Sequence, residues 1–457
     1  MPDVSYLSTI IQDSARVIYS GNIGQKYLSD TLGRKKGTAS ALVFPTSTDE
    51  VSRIMKFACE NSIPVTPRGA GTNLVGSTVP SEGSIILDFL LMNRIIEIDR
   101  KNCTATVEPG VILEDFQQYV ESLGFFYPPD PGEKRSSIGG NISVNAGGMR
   151  AVKYGVTRDY VMALELVLAD GTVIQAGSKN RKDTTGLDIK NLIIGSEGTL
   201  AVITKCTLKL IGKPEKSQSI LISFKSLEDG IEAVPLLLQS NLNPTALEFI
   251  EKDVIKFGEN FLKLKWPDCN GEACLLLTFD GNRDEIDNAI KKCRESVSAH
   301  AENFITLEDP SVSQNVWKIR GCFVKAVEAV SEQEPLDIVV PISRIAAFVQ
   351  YVNELEEKSK MKMIRFGHAG DGNVHLCIVR GNRSDDEWKS ELHENLEKLY
   401  AETYRLGGLI SGEHGLGLSK REFFFEHTAE KNIQLMNNIK LAFDPKKLLN
   451  RNISYVY

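Results

Sequence analysis

The stretch Pro67-Arg68-Gly69-Ala70-Gly71-Thr72-Asn73-Leu74-Val75-Gly76 follows an apolar run, residues 63–66, that reads as a strand. Consecutive backbone N–H groups in a glycine-rich turn form a concave anion site, and Gly69 and Gly71 lack the Cβ that would block a phosphate. The pattern is neither a G-x-G-x-x-G fingerprint nor a G-x-x-x-x-G-K-[ST] phosphate loop, and by itself it also fits a plain tight turn. Two further loops narrow the reading: Ser137-Ile138-Gly139-Gly140-Asn141, leading to Asn145-Ala146-Gly147-Gly148, and Ile194-Gly195-Ser196-Glu197-Gly198-Thr199-Leu200. Three small-residue loops, each beside an expected strand, suit a long diphosphate-linked cofactor lying extended along the backbone.

Outward from these loops, residues 1 to about 210 alternate short β-rich runs with helical patterns, as an α+β nucleotide-binding unit does. Residues 40–44, 84–88, 104–107, 164–168 and 201–204 read as strands, and Val51, Ile54, Met55 and Ala58 give residues 49–61 a helical spacing. A charged stretch, Lys213-Pro214-Glu215-Lys216, marks a boundary. Beyond it, strands at 220–224, 273–279 and 338–340 alternate with amphipathic helices such as 284–298, which predicts a second α+β domain of antiparallel character. Residues 429–449 are helical in pattern again.

A chain of 457 residues has room for two or three domains. With 42% hydrophobic and 25% charged residues it is neither disordered nor fibrous, and a net charge of −7 without any basic block argues against nucleic acid as a partner. No apolar run is long enough to span a membrane and no secretory leader pattern opens the sequence, so a cytoplasmic protein is expected. The eight cysteines (Cys59, Cys103, Cys206, Cys269, Cys274, Cys293, Cys322 and Cys377) are scattered singly without a Cys-x-x-Cys, as reduced core thiols would be; an iron–sulfur cluster is not expected.

Of six histidines, His368 and His375 flank Ala369-Gly370-Asp371-Gly372-Asn373, and His414 follows Glu413 in Ser411-Gly412-Glu413-His414-Gly415-Leu416-Gly417. Asp-Gly between two apolar runs signals a hairpin, so His368 and His375 can face each other across paired strands. Two imidazoles and a carboxylate from a separate loop make a three-ligand set with coordination positions left open. The spacing also allows, as the less favoured reading, two surface histidines and an unrelated Glu-His pair. His300, His393 and His427 lie outside any motif and are expected in solvent.

Val65-Thr66-Pro67-Arg68-Gly69-Ala70-Gly71-Thr72, Pro128-Pro129-Asp130-Pro131, Ser143-Val144-Asn145-Ala146-Gly147-Gly148 and Gly195-Ser196-Glu197-Gly198-Thr199-Leu200 resemble the FAD-binding motifs of the vanillyl-alcohol oxidase and para-cresol methylhydroxylase superfamily. The histidine motifs resemble its D-lactate dehydrogenase and glycolate oxidase branch. The resemblance implies an α+β fold: a two-subdomain FAD-binding domain over 1–212, an α+β cap over 213–418, and a C-terminal helical segment, 419–457, packing back on the FAD domain. It implies FAD contacts from Pro67, Arg68, Gly69, Ala70, Gly71, Thr72, Asn73, Ser137, Gly139, Gly140, Asn145, Gly147, Gly148, Glu197, Gly198 and Ile203, with residues 68–73 on the pyrophosphate. The family's usual Gly-Thr-Leu-Gly stands here as Gly198-Thr199-Leu200-Ala201. Some members attach FAD through a histidine of the FAD domain. Here the first histidine is His300, so dissociable FAD is expected.

The same resemblance implies a divalent metal (iron, zinc or manganese) on His368, His375 and Glu413, His414 as the base, and Arg320 on the substrate carboxylate. A 2-hydroxy acid would chelate the metal and lose hydride to flavin. Relatives acting on 2-hydroxyglutarate tend to carry a lysine shortly before the strand that here reads Glu334-Pro335-Leu336-Asp337-Ile338-Val339-Val340-Pro341. Its lack favours a small monocarboxylate, D-lactate first and glycolate second. Residues 147–155 and 443–450 look closest to lactate dehydrogenases that work with electron-transferring flavoprotein, the expected acceptor. A metallohydrolase with structural glycine loops and a non-catalytic electron relay are the readings from other classes.

Overall fold

Ser47 opens the helix Thr48–Glu60 by accepting the N–H of Glu50 on its Oγ at 3.2 Å, and Val51, Ile54, Met55 and Ala58 form its buried face, as their spacing predicts. That face covers a mixed sheet ordered Val17–Tyr19, Ala39–Val43, Ser84–Asp88, Val65–Arg68, whose last three strands run parallel. Parallel pairing needs crossover connections, and the helix supplies the one from Ala39–Val43 to Val65–Arg68. The glycine-rich loop leaves the carboxyl end of the latter strand, where ligands of open α/β sheets bind. A second, wholly antiparallel sheet is ordered Ile95–Asp99, Thr104–Val107, Val202–Lys209, Val161–Val167, Val173–Gly177.

The structure is a computed structural model that describes residues 3–267 and 271–453; Cys269 lies outside them. Contacts divide the chain into two units, the first formed by the described residues of 1–146, 156–213 and 413–457, the second by those of 147–155 and 214–412. The two sheets above belong to the first unit. Ile54, Val65, Ile85 and Leu87 share a buried cluster there with Val167, Val202 and Leu449, so residues from both sheets and from the return segment build one core.

The second unit holds a seven-stranded antiparallel sheet ordered Asn303–Thr306, Lys216–Phe224, Ala273–Gly281, Ala246–Glu251, Met363–His368, Asn373–Val379, Gln333–Val339. Residues 147–155 join it through Asp280, which accepts hydrogen bonds from Lys153 Nζ at 2.5 Å and Tyr154 OH at 3.0 Å. The helical pattern over 429–449 is a helix only as far as Phe443. Pro445 disfavours helical backbone at the residue before it, and Asp444 turns out to accept the N–H of Leu449 at 2.7 Å. Among the described residues no helix is long and apolar enough to cross a membrane.

Candidate functional site

In the first unit the three small-residue loops meet. Ser137 caps the helix Ile138–Val144, its Oγ accepting the N–H of Gly140 at 3.3 Å, and the same oxygen accepts Ala70 N–H at 3.2 Å. A Cβ on Gly69 would overlap that oxygen. The far end of the helix joins the third loop, with Gly195 N–H donating to Ile142 O at 3.0 Å and Glu197 N–H to Ser143 O at 2.7 Å. The N–H groups of Gly71, Thr72 and Asn73 donate to no other group among the described residues, a row of three donors that fits an anion such as a pyrophosphate. Arg68 supports this loop from behind: Nη1 sits 2.8 Å from Asp88 Oδ2, the guanidinium lies 4.9 Å from the Tyr27 ring centroid, and it fills the space a Cβ on Gly71 would need. Gly139 packs on Pro109 and Gly198 on Pro67. Asn145 holds a left-handed turn and accepts Arg158 N–H at 2.9 Å, and Ile203 is buried opposite Leu166. Gly147 and Gly148 fall in the stretch assigned to the second unit.

The segment after Glu413 is tied to these loops. Asn73 Nδ2 donates to His414 O at 3.0 Å, while its Oδ1 accepts Val75 and Ser77 N–H. Glu197 is buried and accepts Leu416 N–H at 2.9 Å, Gly417 N–H at 3.1 Å and the Ser77 hydroxyl. Burial pushes its carboxyl above the usual range against the pull of these donors. Asn450 Nδ2 reaches both Glu197 O and Ser77 O, and the buried Lys440 ammonium donates to Thr199 O, Leu449 O and Asp444. Glu197 therefore holds the loop that carries His414, a role its place in a glycine-rich loop does not announce.

In the second unit the hairpin forms as its Asp-Gly predicts. His368 ends one strand, His375 lies two places further along the facing strand on the same side, and their Nε2 atoms are 3.3 Å apart. Both are buried, so the surface-histidine alternative does not hold. His368 Nδ1 lies 2.7 Å from Glu248 Oε1, and Glu248 Oε2 lies 2.8 Å from Arg320 Nε and 2.5 Å from Nη2. Burial raises the carboxyl of Glu248, but the charges of Arg320 and His368 and their hydrogen bonds carry it below the usual range. Asp337, fully buried, accepts Asn373 Nδ2 at 2.7 Å and both Ser411 Oγ and Gly412 N–H at 3.0 Å, which fixes the chain entering Glu413.

Glu413 is bonded to Gly412 and opens the stretch 413–457 assigned to the first unit. Two nitrogens bound at ~2.0–2.1 Å to one tetrahedral cation lie about 3.3–3.4 Å apart, so the imidazole pair fits a metal. The sequence reading missed Glu248 and Asp337. The signal for Glu248 was a lone acid inside the apolar run Ala246-Leu247-Glu248-Phe249-Ile250. His300, His393 and His427 are exposed.

The family model described as "FAD linked oxidases, C-terminal domain" matches residues 213–453, and that described as "FAD binding domain" matches 39–177. A D-lactate dehydrogenase of Anaerostipes hadrus is 40% identical, covering 95% of this chain and 94% of the relative. The glycolate oxidase subunit GlcD of Bacillus subtilis (strain 168) is 37% identical over 96% of this chain and 92% of its own length. A substrate-bound crystal structure of p-cresol methylhydroxylase shares the fold, with a TM-score of 0.82 at 17% identity over 99% of this chain and 96% of that one.

Proposed function

Because the chain belongs to the FAD-linked oxidase family, we propose that it oxidises a small D-2-hydroxy acid, D-lactate first, to the 2-oxo acid, using FAD and a divalent metal ion. The relative at 40% identity supports lactate, and the GlcD relative supports glycolate as the second choice. The observation that carries the reading is the buried network His368–Glu248–Arg320, which joins a metal-ligating imidazole to a guanidinium suited to a carboxylate. A 2-hydroxy acid needs both.

In this reading His368, His375 and Glu413 hold the metal, and Arg320 binds the substrate carboxylate and so orients C2. His414 takes the hydroxyl proton on its imidazole as hydride leaves C2, two electrons departing with one proton left on the base. When bound, FAD supplies the hydride acceptor and a divalent cation supplies the Lewis acidity that lowers the pKa of a coordinated alcohol. Pro67 to Asn73, Ser137, Gly139, Gly140, Asn145, Gly147, Gly148, Glu197, Gly198 and Ile203 form the FAD-holding set, with residues 71–73 donating to the pyrophosphate and Arg68 and Glu197 acting by holding the loops. The FAD is dissociable, since no histidine precedes His300. The working division is an FAD-binding domain over 1–212, a cap over 213–418 and a return segment over 419–457. The electrons pass to a partner protein, an electron-transferring flavoprotein.

Anaerobic mixing with D-lactate, L-lactate, glycolate and D-2-hydroxyglutarate tests the substrate. D-lactate should bleach the flavin fastest, and indifference to all four would refute the reading. NAD⁺ alone should leave the reduced flavin unchanged while electron-transferring flavoprotein reoxidises it. Rapid reoxidation by NAD⁺ would remove the partner.

A further inference from the structure

Glu248 is fully buried at the centre of the seven-stranded sheet, opposite His368 in the ladder. An arginine and a carboxylate that meet only to cancel charge commonly do so through two parallel hydrogen bonds, one to each oxygen. Here both contacting nitrogens of Arg320 converge on Oε2, and Oε1 is given to His368 Nδ1. An ionised carboxylate only accepts, so it fixes the proton of His368 on Nδ1 and leaves Nε2 as the lone-pair atom, on the side where His375 Nε2 stands 3.3 Å away. The same carboxylate holds Arg320 by Nε and Nη2, over the rings of Phe366 and Phe323 at 5.1 and 5.8 Å. Nη1 makes no hydrogen bond among the described residues.

We propose that Glu248 is a positioning residue shared by the metal-holding and carboxylate-holding halves of the site: one side chain sets the tautomer of His368 and the orientation of Arg320. The proposal rests on the metal reading above and adds to it a residue that touches neither metal nor substrate. It has a consequence that a plain buried ion pair lacks. In Glu248→Gln the guanidinium, which only donates, claims the single amide oxygen, and the amide NH₂ is turned toward His368. The imidazole must then accept at Nδ1, which places its proton on Nε2 and blocks metal ligation there. Removing the competing donor with Arg320→Met returns the amide oxygen to His368 and restores the ligand tautomer.

The test is titration of the metal-stripped, FAD-loaded protein with Co²⁺ or Mn²⁺, reading the dissociation constant and the Co²⁺ visible bands. FAD content and thermal midpoint of each variant report folding. E248A and E248Q should each bind metal ~10–100-fold more weakly, the size seen when a ligand histidine loses its outer partner. The double variant E248Q/R320M should recover affinity to within about threefold of wild type, and a purely structural pair predicts a further loss instead. Wild-type affinity in folded E248A and E248Q, or no recovery in the double variant, would overturn the shared role. If the wild-type protein itself takes up no divalent metal, the functional reading falls and the shared role falls with it. Uptake by wild type with unaltered E248A removes the shared role alone.

Discussion

Arg68 in the first unit and Arg320 in the second are each buried against a carboxylate, and the spare oxygen of each carboxylate goes to a different end. Asp88 Oδ2 takes Arg68 and its Oδ1 accepts the N–H of Leu90, so the pair terminates in backbone. Glu248 gives its second oxygen to His368, whose other ring nitrogen faces another imidazole. Burial dominates in the first pair and raises the carboxyl of Asp88 despite Arg68. In the second, burial is outweighed by the two cationic partners. The same pair of side-chain types therefore braces a loop in one unit and is joined to a buried histidine pair in the other.

The sharpest way to break this comparison is at the chemistry. His414→Ala is expected to retain FAD and to slow flavin reduction by D-lactate ~10²-fold or more, the usual size of a general-base contribution. Stopped-flow rates equal to wild type would separate His414 from the reaction. His368→Ala and Glu413→Ala should each lose the divalent metal while keeping FAD, because three protein ligands leave little redundancy; full occupancy in both by elemental analysis would sink the ligand set.

Changes at the bracing pair should spare the metal. Arg68→Met strands a buried carboxylate and is expected to cost about 3–5 kcal/mol of stability and weaken FAD, with metal affinity unchanged. Gly71→Asp adds a Cβ at φ +70° against the Arg68 guanidinium and a negative charge beside the row of N–H donors, so FAD should be lost there too. Normal flavin content in that variant would place the cofactor elsewhere. The smallest effect concerns pH. A carboxyl raised in the folded state binds its proton more tightly folded than unfolded, so the stability it lends is present below its unfolded value near 3.9 and is lost as pH rises through the raised one. Denaturation of wild type against Asp88→Asn should show wild type losing ground as pH climbs through that window. A gap that widens in its favour would reverse the sign.

Local signals made much of this legible. The glycines at 69 and 71, the helix spacing of 51, 54, 55 and 58, and the Asp-Gly between the two histidines each act within a few residues. The lone acid Glu248 stood out in its apolar run, but its role was not legible, because that depends on a strand neighbour 120 residues away and a helical arginine 72 residues away. The strand Ala246–Glu251 that carries it follows a turn signal, Asn243-Pro244, but nothing local places that strand at the sheet centre. Lys440 is similar: a lysine on a helix reads as solvated, yet this one is buried because three oxygens from residues 199, 444 and 449 converge on it. Only the tertiary fold assembles such a cage.

That cage bears on how the protein is made. Val65 N–H donates to Leu448 O at 2.9 Å, Asn450 N–H donates to Val65 O at 2.8 Å, and Leu449 sits in the core beneath the first sheet. A ribosome produces residues 214–412 before it reaches residues 448–450, so the second unit is complete in sequence while the strand bearing Arg68 still lacks its outer neighbour. Until residues 440–450 emerge, the nascent chain carries the glycine loops on a sheet edge that is open to chaperones and to other nascent strands. The cofactor's half of the molecule is thus started first and closed last.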